Sequence, residues 1–277
     1  MIAAPPLPVR EIEEGYRAAA ALYPWNPSMI LWRGWEYAAY RRFELPEPVL
    51  DVGCGDGRFF RAVFPNCTDV VGVELDEAVA AAAKASGVYR AVHRIAADAL
   101  PASTERFASA FANCSLEHMD HLAAVLRGIH DSLRPKAPLL CSVVTDRFTT
   151  WSPLPLVLEA AGAASIGREV QRGHEAYHHL VNALSRDGWR AAFQQAGFVV
   201  EDEMPIVPEM TARLFLFADQ FVHLQSDDAE QGGRLSAYLQ QFPSFHAGFE
   251  RVLSGVLAME ANWQEGIGLV LWLRKAS

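Results

Sequence analysis

Glycines and carboxylates at the ends of two apolar segments give this chain the means to bind a nucleoside. Residues 48–60, PVLDVGCGDGRFF, read as a buried strand, a tight turn and the start of a helix. The turn has three glycines in five residues, from Gly53 to Gly57, and without a Cβ the backbone can turn sharply and approach a ligand. Residues 69–75 form a second apolar strand ending at Glu74, whose carboxylate can accept hydrogen bonds from ribose hydroxyls. The spacing predicts a nucleoside-binding strand–helix–strand unit.

The residues beside the glycines distinguish between the cofactors that such a unit could bind. The dinucleotide fingerprint Gly-x-Gly-x-x-Gly requires a third glycine at the position of Arg58. Asp51, just before the glycines, would repel a pyrophosphate, whereas its charge suits a ligand that carries an ammonium group. With Glu74, this pattern resembles motif I and the acidic loop of class I S-adenosylmethionine-dependent methyltransferases. The resemblance implies S-adenosylmethionine as cofactor and S-adenosylhomocysteine as product, and it leaves a nicotinamide-dependent oxidoreductase as an alternative.

Three later segments resemble the small-molecule branch of the same family, which includes the ubiquinone- and menaquinone-type enzymes. Residues 95–100 (IAADAL) are similar to its adenine loop. Residues 107–118 (FASAFANCSLEH) resemble its fourth strand and the following loop, and residues 179–198 resemble its last long helix. The resemblance extends over residues 30–146 and 178–205.

The family resemblance implies a role in cofactor binding for nine residues. Asp51 would bind the methionine ammonium, Glu74 the ribose hydroxyls and Asp98 the adenine amino group. The remaining residues would contribute backbone or packing contacts: Gly53, Cys54, Gly55, Leu75, Ala99 and Asn113. The alternative for Glu74 and Asp98 is that they are ordinary loop carboxylates after strands. Arg33 could pair with the cofactor carboxylate or with Glu36.

Histidines near the predicted carboxyl ends of the strands are the candidate bases. Methyl transfer to an alcohol or phenol requires removal of a proton, which a histidine with a near-neutral pKa can accept. His118 leads because it follows the fourth predicted strand, although it could instead cap a helix or stabilise a turn. His178 and His179, with His174, are predicted near the start of one helix over residues 178–196. Four others are interpreted as surface or packing residues: His93, His130, His223 and His246.

Alternating apolar strands and helical segments predict a doubly wound α/β fold with a mostly parallel, seven-stranded, Rossmann-like sheet. The family resemblance implies that the last strand, residues 268–274, runs antiparallel beside the sixth. The predicted organisation has N-terminal helices over the site (1–45), a cofactor-binding core (46–146, 178–205 and 266–277) and two helical insertions that form a substrate lid (147–177 and 206–265). The second insertion is predicted to be a helical pair. The alternative is that the insertions pack on the core or on a second subunit, which leaves a homodimer open.

Composition and charge exclude several classes of function. With 24 Lys and Arg against 33 Asp and Glu, the net charge of −9 argues against a nucleic-acid substrate. No segment reaches the roughly 18 uncharged apolar residues of a membrane span. The N-terminal residues lack the charge and apolar run of a secretion signal, so we expect a cytoplasmic protein. The four cysteines have no C-x-x-C spacing, so we expect neither disulfides nor a metal site.

The leading functional prediction is methyl transfer to a small molecule. We expect an oxygen acceptor, in-line SN2 transfer and a histidine-assisted deprotonation by His118, His178 or His179. Transfer to nitrogen or carbon is an open alternative within this class. A catalytically silent protein that retains the cofactor fold is the third class of function.

Overall fold

The structure is a computed structural model that describes residues 7–100, 106–223, 225–226, 229–260 and 263–276. The helices in chain order are α1 (Val9–Leu22), α2 (Pro27–Tyr40), α3 (Arg58–Val63), α4 (Glu77–Ala85), α5 (Leu122–Ser132), α6 (Arg147–Thr150), α7 (Pro153–Ala160), α8 (Ala164–Tyr177), α9 (Arg186–Gln195), α10 (Glu209–Val222), α11 (Gln231–Leu239) and α12 (Phe245–Met259). The strands are β1 (Val49–Val52), β2 (Val70–Glu74), β3 (Ala91–Arg94), β4 (Ser109–Asn113), β5 (Pro138–Val144), β6 (Phe198–Ile206), β7 (Gln225–Ser226), β8 (Ala229–Glu230) and β9 (Gly268–Lys275). Within the described ranges, no helix has both the length and the apolar character needed to cross a membrane.

A seven-stranded sheet forms the centre of the molecule, in the order β3-β2-β1-β4-β5-β9-β6. Strands β1 to β5 pair in parallel, and β9 runs antiparallel to both of its neighbours. All residues of β1 and β5 are buried, as expected for parallel strands that are covered on both faces. The predicted doubly wound fold, including the antiparallel last strand, is therefore confirmed.

The carboxyl ends of the parallel strands bring the motif residues to one edge of the sheet. The glycine turn follows β1, and Glu74 is the last residue of β2. Short 3₁₀ turns at Ala97–Ala99 and Leu116–His118 follow β3 and β4. Ligands of open α/β sheets bind at this edge, so the topology gathers the candidate residues where a cofactor is expected.

The N-terminal helices α1 and α2 cross in close contact. A Cβ on Gly15 would lie 2.0 Å from the carbonyl oxygen of Gly34, so only glycine permits this approach. Trp35 is fully buried, and its indole N–H donates to the hydroxyl of Tyr16 over 3.2 Å. Trp35 and Tyr16 are therefore packing anchors between the two helices.

The predicted helix over residues 178–196 is wrong. Helix α8 ends at Tyr177, and α9 begins only at Arg186, where the Ser185 hydroxyl caps it by accepting from the Gly188 amide. Between them the amides of Val181 and Asn182 both donate to the carbonyl oxygen of Glu117, at 3.0 and 2.9 Å. These tertiary hydrogen bonds replace helical ones, so His174, His178 and His179 lie at the end of a helix rather than at its start.

Other predicted boundaries need smaller corrections. The second insertion contains three helices, α10, α11 and α12, with a short β7–β8 hairpin, rather than a helical pair. Strand β6 continues to Ile206, past its predicted end, because it pairs with β9 as far as Gly268. The division of the chain into covering helices, core and lid remains a prediction.

Candidate active site

The turn after β1 is held in a conformation that favours glycine. Gly53 and Gly55 have positive φ angles of 70° and 56°. The amides of Gly53 and Cys54 donate to the carbonyl oxygen of Val73, at 2.9 and 3.0 Å. A Cβ on Gly53 would lie 2.6 Å from the Cβ of Ser115. The turn is therefore fixed between the end of β2 and the loop after β4.

Asp51 is a buried carboxylate with one free oxygen. Its side chain is 1% exposed, and its Oδ2 accepts a hydrogen bond from the Tyr89 hydroxyl at 2.7 Å. Its Oδ1 is also buried and has no hydrogen-bond partner among the described residues. Burial raises the pKa of Asp51 to about 7, although the Tyr89 hydrogen bond acts in the opposite direction. An ammonium group beside Oδ1 would satisfy this oxygen and favour the charged carboxylate.

A cavity of about 270 Å³, here called the Asp51 cavity, is lined by Asp51, the glycine turn and residues of α2 and α3. Arg33 lines it, and its Nη1 lies 2.6 Å from Oε2 of Glu36. Its guanidinium also lies over the Phe59 ring at 5.2 Å, while its buried Nε has no partner among the described residues. Arg33 therefore pairs with Glu36, one of the two partners that the sequence predicts for it.

Glu74 is fixed by the backbone of the turns that surround it. Its carboxylate accepts hydrogen bonds from the amides of Gly55, Leu75 and Asp76, at 3.1, 2.8 and 3.1 Å. It lines a second cavity of about 470 Å³, here called the Glu74 cavity, to which Asp98 also contributes. Tertiary structure thus holds the Glu74 carboxylate beside a cavity, which a loop carboxylate in solvent would not require.

The two cavities together contain eight of the nine predicted cofactor residues. The Glu74 cavity is lined by Gly53, Glu74, Leu75 and Asp98, and the Asp51 cavity by Asp51, Gly53, Cys54, Gly55 and Asn113. Both cavities share Gly53 and Cys114 in their walls, so they meet at the glycine turn. Ala99 lines neither cavity and lies in the 3₁₀ turn after β3.

His118 and His179 line the Glu74 cavity. The Nδ1 of His118 lies 3.2 Å from the carbonyl oxygen of His179. Because a carbonyl oxygen only accepts hydrogen bonds, this contact assigns the proton of a neutral imidazole to Nδ1 and leaves a lone pair on Nε2. The His118 side chain is 36% exposed, whereas that of His179 is 65% exposed and lies 3.9 Å from Asp120.

Sequence reasoning allows Glu117 as an assisting acceptor but expects an exposed carboxylate at a helix start, and it gives no signal for Tyr89. Glu117 is fully buried beside His118, and burial raises the pKa of its carboxyl group. Its Oε1 accepts from the Cys114 thiol, and its Oε2 has no partner among the described residues. Tyr89 orients Asp51 across 38 residues of sequence, and no local motif signals such a contact.

His178 lines neither cavity and belongs to a separate cluster around Asp219. The Nε2 atoms of His174 and His178 each lie 2.8 Å from Oδ2 of Asp219. His223, which the sequence places among the surface or packing residues, has its Nε2 3.4 Å from Oδ1. Although burial raises the pKa of Asp219, hydrogen bonds from the three histidines lower it well below its usual value.

The sequence of this chain is similar to those of methyltransferases. A family model described as a methyltransferase domain matches residues 33–203. Ubiquinone biosynthesis O-methyltransferases from Pseudomonas fluorescens and Pseudomonas putida are each 27% identical over 159 residues, which is 56% of this chain. The match spans 65% of the length of these curated relatives.

Solved structures share the fold at low identity. An S-adenosylmethionine-dependent methyltransferase from Mesorhizobium loti has a TM-score of 0.50 and 17% identity, over 87% of this chain and 97% of that one. A cyclopropane synthase from Mycobacterium tuberculosis has a TM-score of 0.53 and 17% identity, over 87% and 83% of the two chains. The family match extends over more than half of the chain, and with this fold it establishes that the chain belongs to the class I S-adenosylmethionine-dependent methyltransferases.

Proposed function

We propose that this chain transfers a methyl group from S-adenosylmethionine to an oxygen atom of a small molecule, with His118 as general base. The observation that carries the proposal is the meeting of the two cavities at Gly53 and Cys114. One cavity offers the free carboxylate oxygen of Asp51, and the other offers the fixed carboxylate of Glu74. These two acceptors match the ammonium and ribose ends of one elongated ligand.

The residues in the cavities fit S-adenosylmethionine, which when bound supplies a sulfonium methyl group as an activated electrophile. Asp51 would accept from the ammonium group, and the buried Nε of Arg33 would donate to the carboxylate of the same amino-acid moiety. Glu74 would bind the ribose hydroxyls. Asp98 with Ala99 would contact the adenine edge and Leu75 its face. Gly53, Cys54, Gly55 and Asn113 would offer backbone, which keeps the cavity walls close to the ligand.

His118 is the best placed of the three predicted bases. Its Nε2 lone pair can take the proton of a hydroxyl acceptor, because Nδ1 is occupied by the His179 carbonyl. Such a base contributes about 10²–10⁴-fold, while alignment of the two reactants contributes about 7–11 kcal/mol. The carbonyl oxygen of His179 would orient His118, and the imidazole of His179 is the second candidate for the general base. His178 lines neither cavity, which favours another role for it.

The acceptor atom, the substrate class and the cellular location are inferred from similar proteins rather than from contacts within this structure. Similarity to ubiquinone biosynthesis O-methyltransferases favours an oxygen acceptor, and transfer to nitrogen or carbon remains the alternative. The relatives' biosynthetic role also supports a small-molecule substrate and a cytoplasmic location. The homodimer that the sequence leaves open remains a prediction.

Calorimetric titration with S-adenosylhomocysteine, with NADH in parallel, tests the cofactor assignment. We expect micromolar binding of S-adenosylhomocysteine alone, weakened at least about tenfold in Glu74→Ala. Glu77→Ala is the matched control, since Glu77 lies on α4 with a 78% exposed side chain. Tight NADH binding, or equal affinity of the two variants, would contradict the proposal.

A panel of phenols, alcohols and amines with labelled S-adenosylmethionine tests the acceptor and the base. For an oxygen acceptor we expect His118→Ala to lower kcat by about 10²–10⁴-fold with little change in S-adenosylhomocysteine affinity. His93→Ala is the control, because His93 is an exposed residue of edge strand β3 that lines neither cavity. If His118→Ala keeps full turnover of a hydroxyl acceptor, another group is the base.

A further inference from the structure

Two helices of the predicted lid present metal-ligating side chains to each other. His174 and His178 are four residues apart near the end of α8, and Asp219 and His223 are four residues apart at the end of α10. Residues at this spacing share one face of a helix, so each helix contributes a pair of donors. The four side chains meet in one cluster, here called the His₃Asp cluster.

The donor atoms already have the spacing of a coordination shell. The Nε2 atoms of His174 and His178 are 3.2 Å apart, and each lies 2.8 Å from Oδ2 of Asp219. Metal–ligand bonds of about 2.0–2.1 Å in a tetrahedron place neighbouring donors roughly 3.3 Å apart. The three atoms would therefore move by only a few tenths of an ångström to surround an ion.

The three imidazoles are distributed unevenly over the acceptor sites of the Asp219 carboxylate. A single carboxylate faces three imidazoles, and two N–H groups converge on the same oxygen, Oδ2 of Asp219. Both N–H groups would point at that one oxygen from nitrogens that are 3.2 Å apart, which brings their hydrogens close together. A cation at the centre would replace these hydrogens and would be bound by the lone pairs of all the donors.

Aromatic neighbours hold the imidazoles in place. The Phe148 ring is stacked on His174, with centroids 5.4 Å apart and planes 6° from parallel. Tyr177 is stacked on His223 at 3.8 Å. The side chains of His174 and Asp219 are 2% and 4% exposed, so the cluster is largely shielded from water. An apolar surround of this kind limits solvent access to a bound metal.

We propose that His174, His178, Asp219 and His223 form a binding site for a divalent transition-metal ion, of which Zn²⁺ is the best match. Imidazole nitrogens and a carboxylate oxygen are ligands that Zn²⁺ accepts in tetrahedral sites. Three donors, from His174, His178 and Asp219, lie within 4.8 Å of one another. The Nε2 of His223, 3.4 Å from the other oxygen of Asp219, would turn toward the ion as the fourth ligand and complete a structural site. The ion would join α8 to α10 and thereby the first insertion to the second. Such a site differs from the expectation, based on cysteine spacing, that the chain binds no metal.

Metal binding by the full chain tests the proposal directly. After treatment with EDTA and dialysis, we expect the wild type to bind one equivalent of Zn²⁺. His178→Ala and Asp219→Asn should weaken this binding by about 100-fold or more, since even second-shell partners alter metal affinity 10–100-fold. His93→Ala, which removes a histidine on β3, should bind like the wild type. Circular dichroism shows whether each variant is folded.

A second cluster provides the alternative location. Cys114, Glu117 and His118 also have donor atoms within 4.8 Å of one another. The wild type loaded with Co²⁺ should show tetrahedral d–d bands without a thiolate charge-transfer band, and this result needs no folded variant. A thiolate band, loss of binding in His118→Ala but not in His178→Ala, or failure of the wild type to bind Zn²⁺ would each overturn the proposal.

Discussion

The hydroxyl of Tyr89 lies 2.7 Å from Oδ2 of Asp51, and the other oxygen of this buried carboxylate has no partner among the described residues. Tyr89 also lies 3.1 Å from the Cys54 carbonyl oxygen, so the same hydroxyl connects the carboxylate with the glycine turn. The Tyr89 hydroxyl thus positions Asp51 and favours its charged form, against the effect of burial. Because burial raises the pKa of Asp51 to about 7, cofactor binding should depend on pH near neutrality.

The affinity for S-adenosylhomocysteine should rise with pH up to about 7. An ammonium group binds the ionised form of Asp51, so below the pKa each pH unit should weaken binding about tenfold. Calorimetric titration between pH 5.5 and pH 8 measures how affinity changes with pH. This range extends from about 1.5 units below the pKa of Asp51 to about 1 unit above it. Asp51→Asn should bind weakly at every pH. A wild-type affinity that does not change over this range would refute a raised pKa at this position.

Tyr89→Phe should move the same pH profile to higher values. The substitution keeps the ring, which packs near Phe60, but removes the hydrogen bond that stabilises the charged form of Asp51. A hydrogen bond to a charged group contributes about 1.5–3 kcal/mol, or roughly one to two pKa units. Affinity at neutral pH should therefore fall, and it should recover at alkaline pH. An unchanged midpoint would show that Tyr89 does not control this charge.

Asp51 should make the fold less stable as pH rises. The folded protein keeps the Asp51 proton up to about pH 7, whereas the unfolded chain loses it near the usual aspartate pKa of 3.8. The free energy of unfolding should therefore fall across this interval, by on the order of 4 kcal/mol for this group, and remain level above it. Asp51→Asn should remove that loss, so its stability relative to the wild type should increase with pH in urea titrations. Asp56→Asn, in the same turn, serves as the control.

Gly53→Ala should destabilise the protein more than Gly55→Ala. Both residues have positive φ, which costs about 1–2 kcal/mol for a side chain. Only at Gly53 would the new Cβ also contact another residue, Ser115, at 2.6 Å. Thermal unfolding of both variants, with S-adenosylhomocysteine titration, separates backbone strain from this clash. Equal losses would mean that the loop after β4 moves to accommodate the methyl group.

Local patterns were sufficient to predict the nucleoside-binding unit. The strand, glycine turn and acidic end of β2 lie within about thirty residues of sequence, and each has its own composition. Asp51, Glu74 and Asp98 were therefore located beside the cavities from sequence. Alternation and family resemblance predicted the mostly parallel sheet with an antiparallel last strand beside the sixth, but not the full strand order. The functions of these residues remain predictions.

Contacts between distant segments were beyond the reach of sequence patterns. The residues after Tyr177 have helical composition, yet their amides bind the Glu117 carbonyl some sixty positions earlier in the chain. His174 and His223 come together only because α8 packs near α10. Tyr89 precedes β3 and has no motif of its own. In each example contacts between distant segments, rather than local propensity, determine the structure.

The contact between His118 and the His179 carbonyl makes the candidate base depend on a helix from another part of the chain. The segment that supplies this carbonyl directly follows α8 and is anchored to the loop after β4 by Val181 and Asn182. If α8 swings outward to admit a substrate, His118 loses the acceptor that fixes its tautomer. Either ring nitrogen could then carry the proton. On the proposed role of His118, the segment after α8 therefore contributes to catalysis by keeping the Nε2 lone pair available.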